Sequence, residues 1–270
     1  MEYIKTTIQG MLIGIANAIP GVSGGTMAVI LNIYDKIMYS LSLKNIKGNL
    51  KFLMPLGIGA VLGVFLLSNV IVAAMENFPM ILNFCFIGLV LGSLPAIYKR
   101  AKGDKIQNRN WIFFALGLGV MIFMTFVNPE ATANKSIAEF GGVDAGLCLW
   151  FAFTGAVGCI AMILPGLSGS LVLLLFGTYG AIMESIATFN MVMIIATVAG
   201  VLLGGAIGVK VIKKMLRFHP QALYFAILGL MVGSMIIIWP GFAMNTQGII
   251  ALAGFVGFTL IAYFMSRDSE

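Results

Sequence analysis

An interruption in apolar sequence occurs twice in this chain and constrains its fold more than anything else. Ile19-Pro20-Gly21-Val22-Ser23-Gly24-Gly25-Thr26 has its counterpart in Leu164-Pro165-Gly166-Leu167-Ser168-Gly169-Ser170-Leu171, each flanked by helix-length apolar stretches. Proline brings no backbone N–H and glycine no Cβ, so both stop a helix and expose its polar backbone. Inside a bilayer no water satisfies those groups, and such a break survives only where it is buried in protein or lines a cavity. Paired breaks in corresponding halves of a membrane chain point to a transporter's binding site.

The surroundings of the breaks are those of a membrane protein. Hydrophobic residues make up 60% of the 270 and charged residues 10%, against about 25% charged in soluble domains, and the mean hydropathy is +1.03. This length holds roughly eight to ten membrane segments of about 20 residues and leaves no room for a separate soluble domain. The net charge of +6 does not indicate nucleic acid, because the basic residues lie in short loops between apolar runs, as the positive-inside pattern requires. Cys85, Cys148 and Cys159 stand singly in apolar runs without metal-ligand spacing, and the lone histidine, His219, precedes Pro220 at a loop. No cofactor, metal site or catalytic constellation is expected from them. Lys5, the apolar run from Ile8 and Ala16-Asn17-Ala18 imitate a signal peptide, but the same segment type recurs before Leu164 in mid-chain. It is therefore expected to be a retained structural element.

Apolar runs occupy roughly 7–19, 27–41, 52–75, 80–98, 111–127, 146–164, 171–188, 191–212, 221–239 and 248–265. At 1.5 Å per residue the pieces 7–19 and 27–41 extend only about 20 and 22 Å, short of a ~30 Å hydrocarbon core. The two halves align. Gly10, Pro20, Ser23 and Tyr34 match Gly155, Pro165, Ser168 and Tyr179 at one offset, and Gly59, Gly63, Pro79, Gly88, Gly92 and Ser93 match Gly200, Gly204, Pro220, Gly229, Gly233 and Ser234 at another, four residues smaller. The last runs of the halves pair only weakly.

Charge sets the orientation. Lys36, Lys44, Lys47 and Lys51 follow the first broken element, Lys99 to Arg109 fill the 99–110 loop, Lys210 to Arg217 fill the 210–219 loop, and Arg267 is near the C-terminus. The stretches 76–79, 128–145, 184–190 and 240–247 are acidic or neutral. If each broken element enters and leaves on one side, every basic loop is cytoplasmic. The expected architecture is an all-α polytopic membrane protein of two inverted-topology repeats, each a re-entrant broken-helix hairpin plus three transmembrane helices. Residues 1–127 form the first repeat, 128–145 an extracytoplasmic linker and 146–270 the second repeat, with both termini cytoplasmic. Two short full crossings per broken element satisfy the charges equally well; length favours the hairpin.

A hairpin tip at Pro20–Thr26 would put the start of the returning half-helix near mid-membrane, where orphan N–H groups and the dipole favour an anion. Pro20 and Gly21 make the turn, Gly24 and Gly25 admit close approach, and Ser23 and Thr26 can cap the helix or donate to phosphate oxygens. Pro165, Gly166, Ser168, Gly169 and Ser170 offer the same from the other side. Two such tips make a site without formal positive charge, suited to one phosphate monoester rather than a polyanion. Asn17, one turn before the first break, can orient a ligand or cap a carbonyl; Met162 stands at its place in the second half. The same residues also describe a plain tight turn with capping hydroxyls.

The remaining signals have simpler readings. Gly59-x-x-x-Gly63, Gly88-x-x-x-Gly92, Gly200-x-x-x-Gly204-x-x-x-Gly208 and Gly229-x-x-x-Gly233 are helix-packing faces. Gly57-Ile-Gly59 lacks the rest of a dinucleotide fingerprint. Tyr34 and Tyr179 are expected in an interfacial aromatic belt, with headgroup contact the lesser option, and Asp35, Glu76 and Glu184 as surface charges rather than coupling groups.

Gly14-x-x-Asn17-x-x-Pro20-Gly21-Val22-Ser23-Gly24-Gly25-Thr26 followed by Ile33-Tyr34-Asp35, with Leu164 to Ser170 and Gly177-Thr178-Tyr179, resembles the PopT-type polyprenyl-phosphate translocases, formerly a membrane family of unknown function. The resemblance covers nearly the whole chain. It implies a prokaryotic plasma-membrane protein that returns undecaprenyl phosphate, or a similar lipid carrier, from the outer to the inner leaflet for reuse in envelope assembly. Polyprenyl phosphate and membrane lipid are the implied partners, nucleic acid is not, and a homo-oligomer is compatible with the sequence. An acidic residue is expected after the second Tyr, where this chain has Gly180; Asp35 keeps it in the first copy. Tyr34, Asp35 and Tyr179 are accordingly candidates for coupling or headgroup contact. The alternative from the residues alone is a transporter or channel for a small soluble anion. An intramembrane phosphatase would want a nucleophile, a general acid or a metal, and none of these constellations is present. A structural subunit would not need two midplane breaks.

Overall fold

The computed structural model describes residues 2–18, 23–42, 44–103, 108–126 and 135–267. Among them there is no strand. The helices are α1 (Glu2–Ala18), α2 (Gly24–Ile30), α3 (Tyr34–Ser40), α4 (Leu50–Asn77), α5 (Pro79–Lys102), α6 (Trp111–Phe126), α7 (Ala145–Ile163), α8 (Gly169–Leu175), α9 (Tyr179–Ala187), α10 (Met191–Phe218), α11 (Pro220–Ile237) and α12 (Thr246–Arg267). Seven of the described segments are long and apolar enough to cross a membrane, and an eighth is added if α8 and α9, bent by 105° at their junction, count as one span.

Glycine seams hold the bundle. A Cβ at Gly59 or Gly63 of α4 would overlap the carbonyls of Thr7 or Met11 of α1; at Gly200 or Gly204 of α10 it would overlap those of Ala152 or Ala156 of α7. Backbones meet there at a distance only glycine permits, the small-residue packing that substitutes for a hydrophobic driving force in lipid. Both pairs are parallel, because later residues of one helix face later residues of the other. In that register Ala18 ends about ten residues short of Asn77, and Ile163 about ten short of Phe218, or about 15 Å along the axis in each half. The second pair of seams crosses between the halves. Gly88 of α5 abuts the Phe255 carbonyl of α12, and Gly229 of α11 abuts the Phe114 carbonyl of α6. The last helix of each half thus packs on the second-last helix of the other, and the two contacts share the offset that relates Gly88 to Gly229.

The apolar runs 27–41 and 171–188 are not single helices. Each contains two short helices separated by a left-handed residue, Asn32 (φ 56°) and Gly177 (φ 71°). Asn32 N–H bonds to Val29 C=O and Ile33 N–H to Ala28 C=O, both at 2.9 Å; Gly177 N–H bonds to Leu174 C=O at 2.9 Å and Thr178 N–H to Leu173 C=O at 3.0 Å. This is the same Schellman closure twice, with Asn or Gly where a left-handed residue is needed. Hydropathy alone carries no trace of it, because the residues on either side of the break are equally apolar.

Charge separates the ends. At one end Lys213 of α10 lies 4.7 Å from the Tyr39 ring of α3, Lys36 lies 4.3 Å from the Phe52 ring, and Arg100 of α5 pairs with Asp35 of α3. Gln221 of α11 donates to the Lys102 carbonyl there. In the acidic group of segments, the Ile137 N–H donates to Glu184 of α9 at 2.8 Å.

Candidate functional site

The two copies of the motif meet. Ser23 N-caps α2, its Oγ accepting the Gly25 N–H at 3.2 Å and donating to the Leu164 carbonyl at 3.5 Å. Thr26, one turn into α2, accepts the Gly166 N–H on its Oγ1 at 2.8 Å. Gly25 faces the backbone of Met162, Ile163 and Pro165 so closely that a Cβ there would fit only if that backbone gave way slightly. Gly166, at φ 92°, lies against Leu230 of α11, where a Cβ would have no room. The second copy differs in detail. Ser168 precedes α8 without capping it, and its hydroxyl shares a 2.8 Å hydrogen bond with that of Ser170. Gly169 sits on the Gly158 carbonyl of α7.

Asn17, at the end of α1, accepts the Gly24 N–H on Oδ1 at 2.9 Å. It therefore ties an exposed backbone donor across the break rather than a carbonyl. Its side chain also fills the space over Gly24, so close approach there serves the fold itself. Pro20 and Gly21 lie outside the described residues. Ser23, Thr26 and Ser168 are buried; Ser23 and Thr26 bond backbone groups and Ser168 the Ser170 hydroxyl, as buried polar groups in lipid must find a partner.

Tyr34 is no belt residue. It is 1% exposed, in a cluster with Ile37, Ile97, Leu223 and Phe225, and among the described residues its hydroxyl and that of Ser40 have no hydrogen-bond partner. Tyr179, its counterpart, is half-buried at the first turn of α9. Asp35 is more than a surface charge: the Tyr224 hydroxyl donates to it at 2.7 Å, and Arg100 Nη1 lies 3.3 Å away. The pair stays partly open to solvent, with the side chains 48% (Asp35) and 33% (Arg100) exposed. Sequence reasoning missed both partners. Arg100 was one cation among many in its loop, while Tyr224 is a lone hydroxyl in an apolar run, a signal that was present and unused. Among the described residues no group of three or more metal-ligating side chains converges.

A bundle of apolar helices, seven of its segments long and apolar enough to cross a membrane and two of its broken elements in contact, is that of a multi-pass membrane protein. The chain belongs to the undecaprenyl phosphate translocase-like (VCA0040-like) family, whose profile matches residues 13–253. It is 27% identical over 266 residues to a polyprenyl-phosphate transporter of Vibrio cholerae, covering 89% of this chain and 79% of that protein. It is 28% identical over 248 residues to a polyprenyl-phosphate transporter of Staphylococcus aureus, covering 88% and 87%. No solved structure matches it.

Proposed function

We propose that this protein carries a polyprenyl phosphate across the plasma membrane from the outer to the inner leaflet, holding the phosphate headgroup where the two motif copies meet. The observation that carries the reading is the Thr26–Gly166 hydrogen bond, which joins the two breaks in a chain whose relatives are named polyprenyl-phosphate transporters. The headgroup would lie among Asn17, Pro20, Gly21, Ser23, Gly24, Gly25 and Thr26 on one side and Pro165, Gly166, Ser168, Gly169 and Ser170 on the other. The Ser168–Ser170 pair is the natural donor set, since two hydroxyls bonded to each other can turn outward to phosphate oxygens without orphaning backbone. Tyr34, Asp35 and Tyr179 belong to coupling or to headgroup contact, with Asp35 already placed between a cation and a hydroxyl.

The same reading takes the halves, 1–127 and 146–270 with the linker 128–145, as inverted repeats with re-entrant tips. Its supports are the parallel α1–α4 and α7–α10 seams, the ends of α1 and α7 about 15 Å short of the long helices' ends, and the placing of α3 beside basic residues and α9 beside an acidic-loop backbone. The basic end is then cytoplasmic, with both termini. The test is reconstitution with polyprenyl phosphate in one leaflet and measurement of its appearance in the other. Transport should fall sharply in the Ser23→Ala, Ser168→Ala double variant; full transport by a folded double variant would refute the headgroup site.

A further inference from the structure

A cleft of about 740 Å³ opens between the first turn of α6 and the α10–α11 turn, apart from the meeting of the motifs. Its two rims are tied together. Buried Asn110 donates to Gln221 Oε1 at 2.8 Å, and Gln221 Nε2 donates to the Lys102 carbonyl at 3.0 Å. Ile112, Phe113, Met215 and Phe218 line it together with Arg109 and His219, both exposed. Among the described residues no carboxylate lines it, and Lys213, Lys214 and Arg217 lie in the last turns of α10 nearby.

Cations beside an apolar slot match an amphiphile with a small anionic head. Arginine's planar fork takes two phosphate oxygens at once, and an imidazole N–H can add a third contact. The volume is in the range of small-ligand pockets; it admits a phosphate and the first units of a prenyl chain, leaving a longer tail in lipid. At the offset that relates Gly88 to Gly229, His219 corresponds to Phe78 and Arg109 to Ile250, so the Arg–His pair is not repeated at the corresponding positions.

We propose that this cleft is a second lipid-phosphate site, on the basic side, where a prenyl phosphate rests before or after passing the interior site. Arg109 and His219 hold its phosphate monoester, and Ile112, Phe113, Met215 and Phe218 hold its first prenyl units. The ligand class rests on the transport reading above, and the experiment separates the two. The full-length protein in phosphatidylcholine nanodiscs is photolabelled with a diazirine-bearing farnesyl phosphate, and the labelled peptides are mapped by mass spectrometry. Label is expected in 108–113 and 215–222, falling about tenfold in the Arg109→Ala, His219→Ala double variant and falling less in Arg109→Lys, which keeps the charge but not the two-oxygen fork. Diazirine farnesol should not label the cleft, and equimolar inorganic phosphate should not compete. Label confined to 163–172 overturns the cleft site and spares the interior one; label at neither overturns both. Equal labelling by the farnesol probe makes the cleft a plain apolar slot, and full competition by free phosphate makes it a soluble-anion site; either result overturns the proposal.

Discussion

Thr26 and Gly166, 140 residues apart, are joined by a 2.8 Å hydrogen bond from the Gly166 N–H to the Thr26 hydroxyl. Gly166 is a left-handed residue just past the end of α7 whose N–H has left the helical ladder. The threonine of one break thus satisfies the backbone exposed by the other, and the second copy is not complete without the first.

Thr26→Val, nearly the same size, should therefore cost about 1–3 kcal/mol by leaving a buried N–H without an acceptor. Thr26→Ser should recover most of it. Thermal melting of the purified protein in detergent gives the order; a valine variant as stable as the native chain would remove the bond from the energetics.

Along α4 the glycines should divide sharply. Gly59→Ala must push α1 from α4, because the new methyl meets the Thr7 carbonyl, whereas Gly57→Ala points into open space. The first should lose about 1–3 kcal/mol by overpacking, and the second should be neutral or gain up to about 1 kcal/mol of helix propensity. Melting temperatures of the two variants decide it.

Sidedness can be read directly with cysteines. With Cys85, Cys148 and Cys159 replaced by alanine, Lys214→Cys and Glu139→Cys should react with an impermeant maleimide from opposite faces of oriented vesicles. Both are exposed positions, so reaction of both from one face would contradict the charge-derived topology.

Within the Tyr34–Asp35 neighbourhood, stability and transport should part company. Asp35→Asn removes a half-exposed ion pair and should change stability by less than about 1 kcal/mol. Tyr34→Phe deletes a buried hydroxyl that has no protein partner among the described residues, and should leave the melting temperature unchanged or raise it. Loss of transport in either stable variant would assign the residue to the transport cycle; unchanged transport in both would restrict them to packing.

Much of the fold around the two motif copies was legible in the chain because the relevant physics is local. Proline and glycine fix where a helix must stop, and the Ser-Gly that follows each stop marks where the next begins, as Ser23 and Ser168 do. The small-residue faces were legible too, with Gly59, Gly63, Gly200 and Gly204 all at backbone contacts. The second break in each returning element was not, since Asn32 sits in a run that hydropathy treats as continuous. Tyr34 was misplaced because an aromatic near a loop looks the same whether it faces lipid or core.

By itself, then, the sequence determined where the two Pro-Gly breaks fall, about how long the long apolar helices run and which segments carry charge, because each follows from a missing N–H, a fixed rise per residue or the composition of one short segment. Only the tertiary structure decided that Thr26 serves Gly166, that Arg100 and Tyr224 hold Asp35, that Tyr34 is buried, and that the last helix of each half packs on the other. Those are contacts between residues far apart in the chain, and no local preference encodes which of many apolar faces will meet.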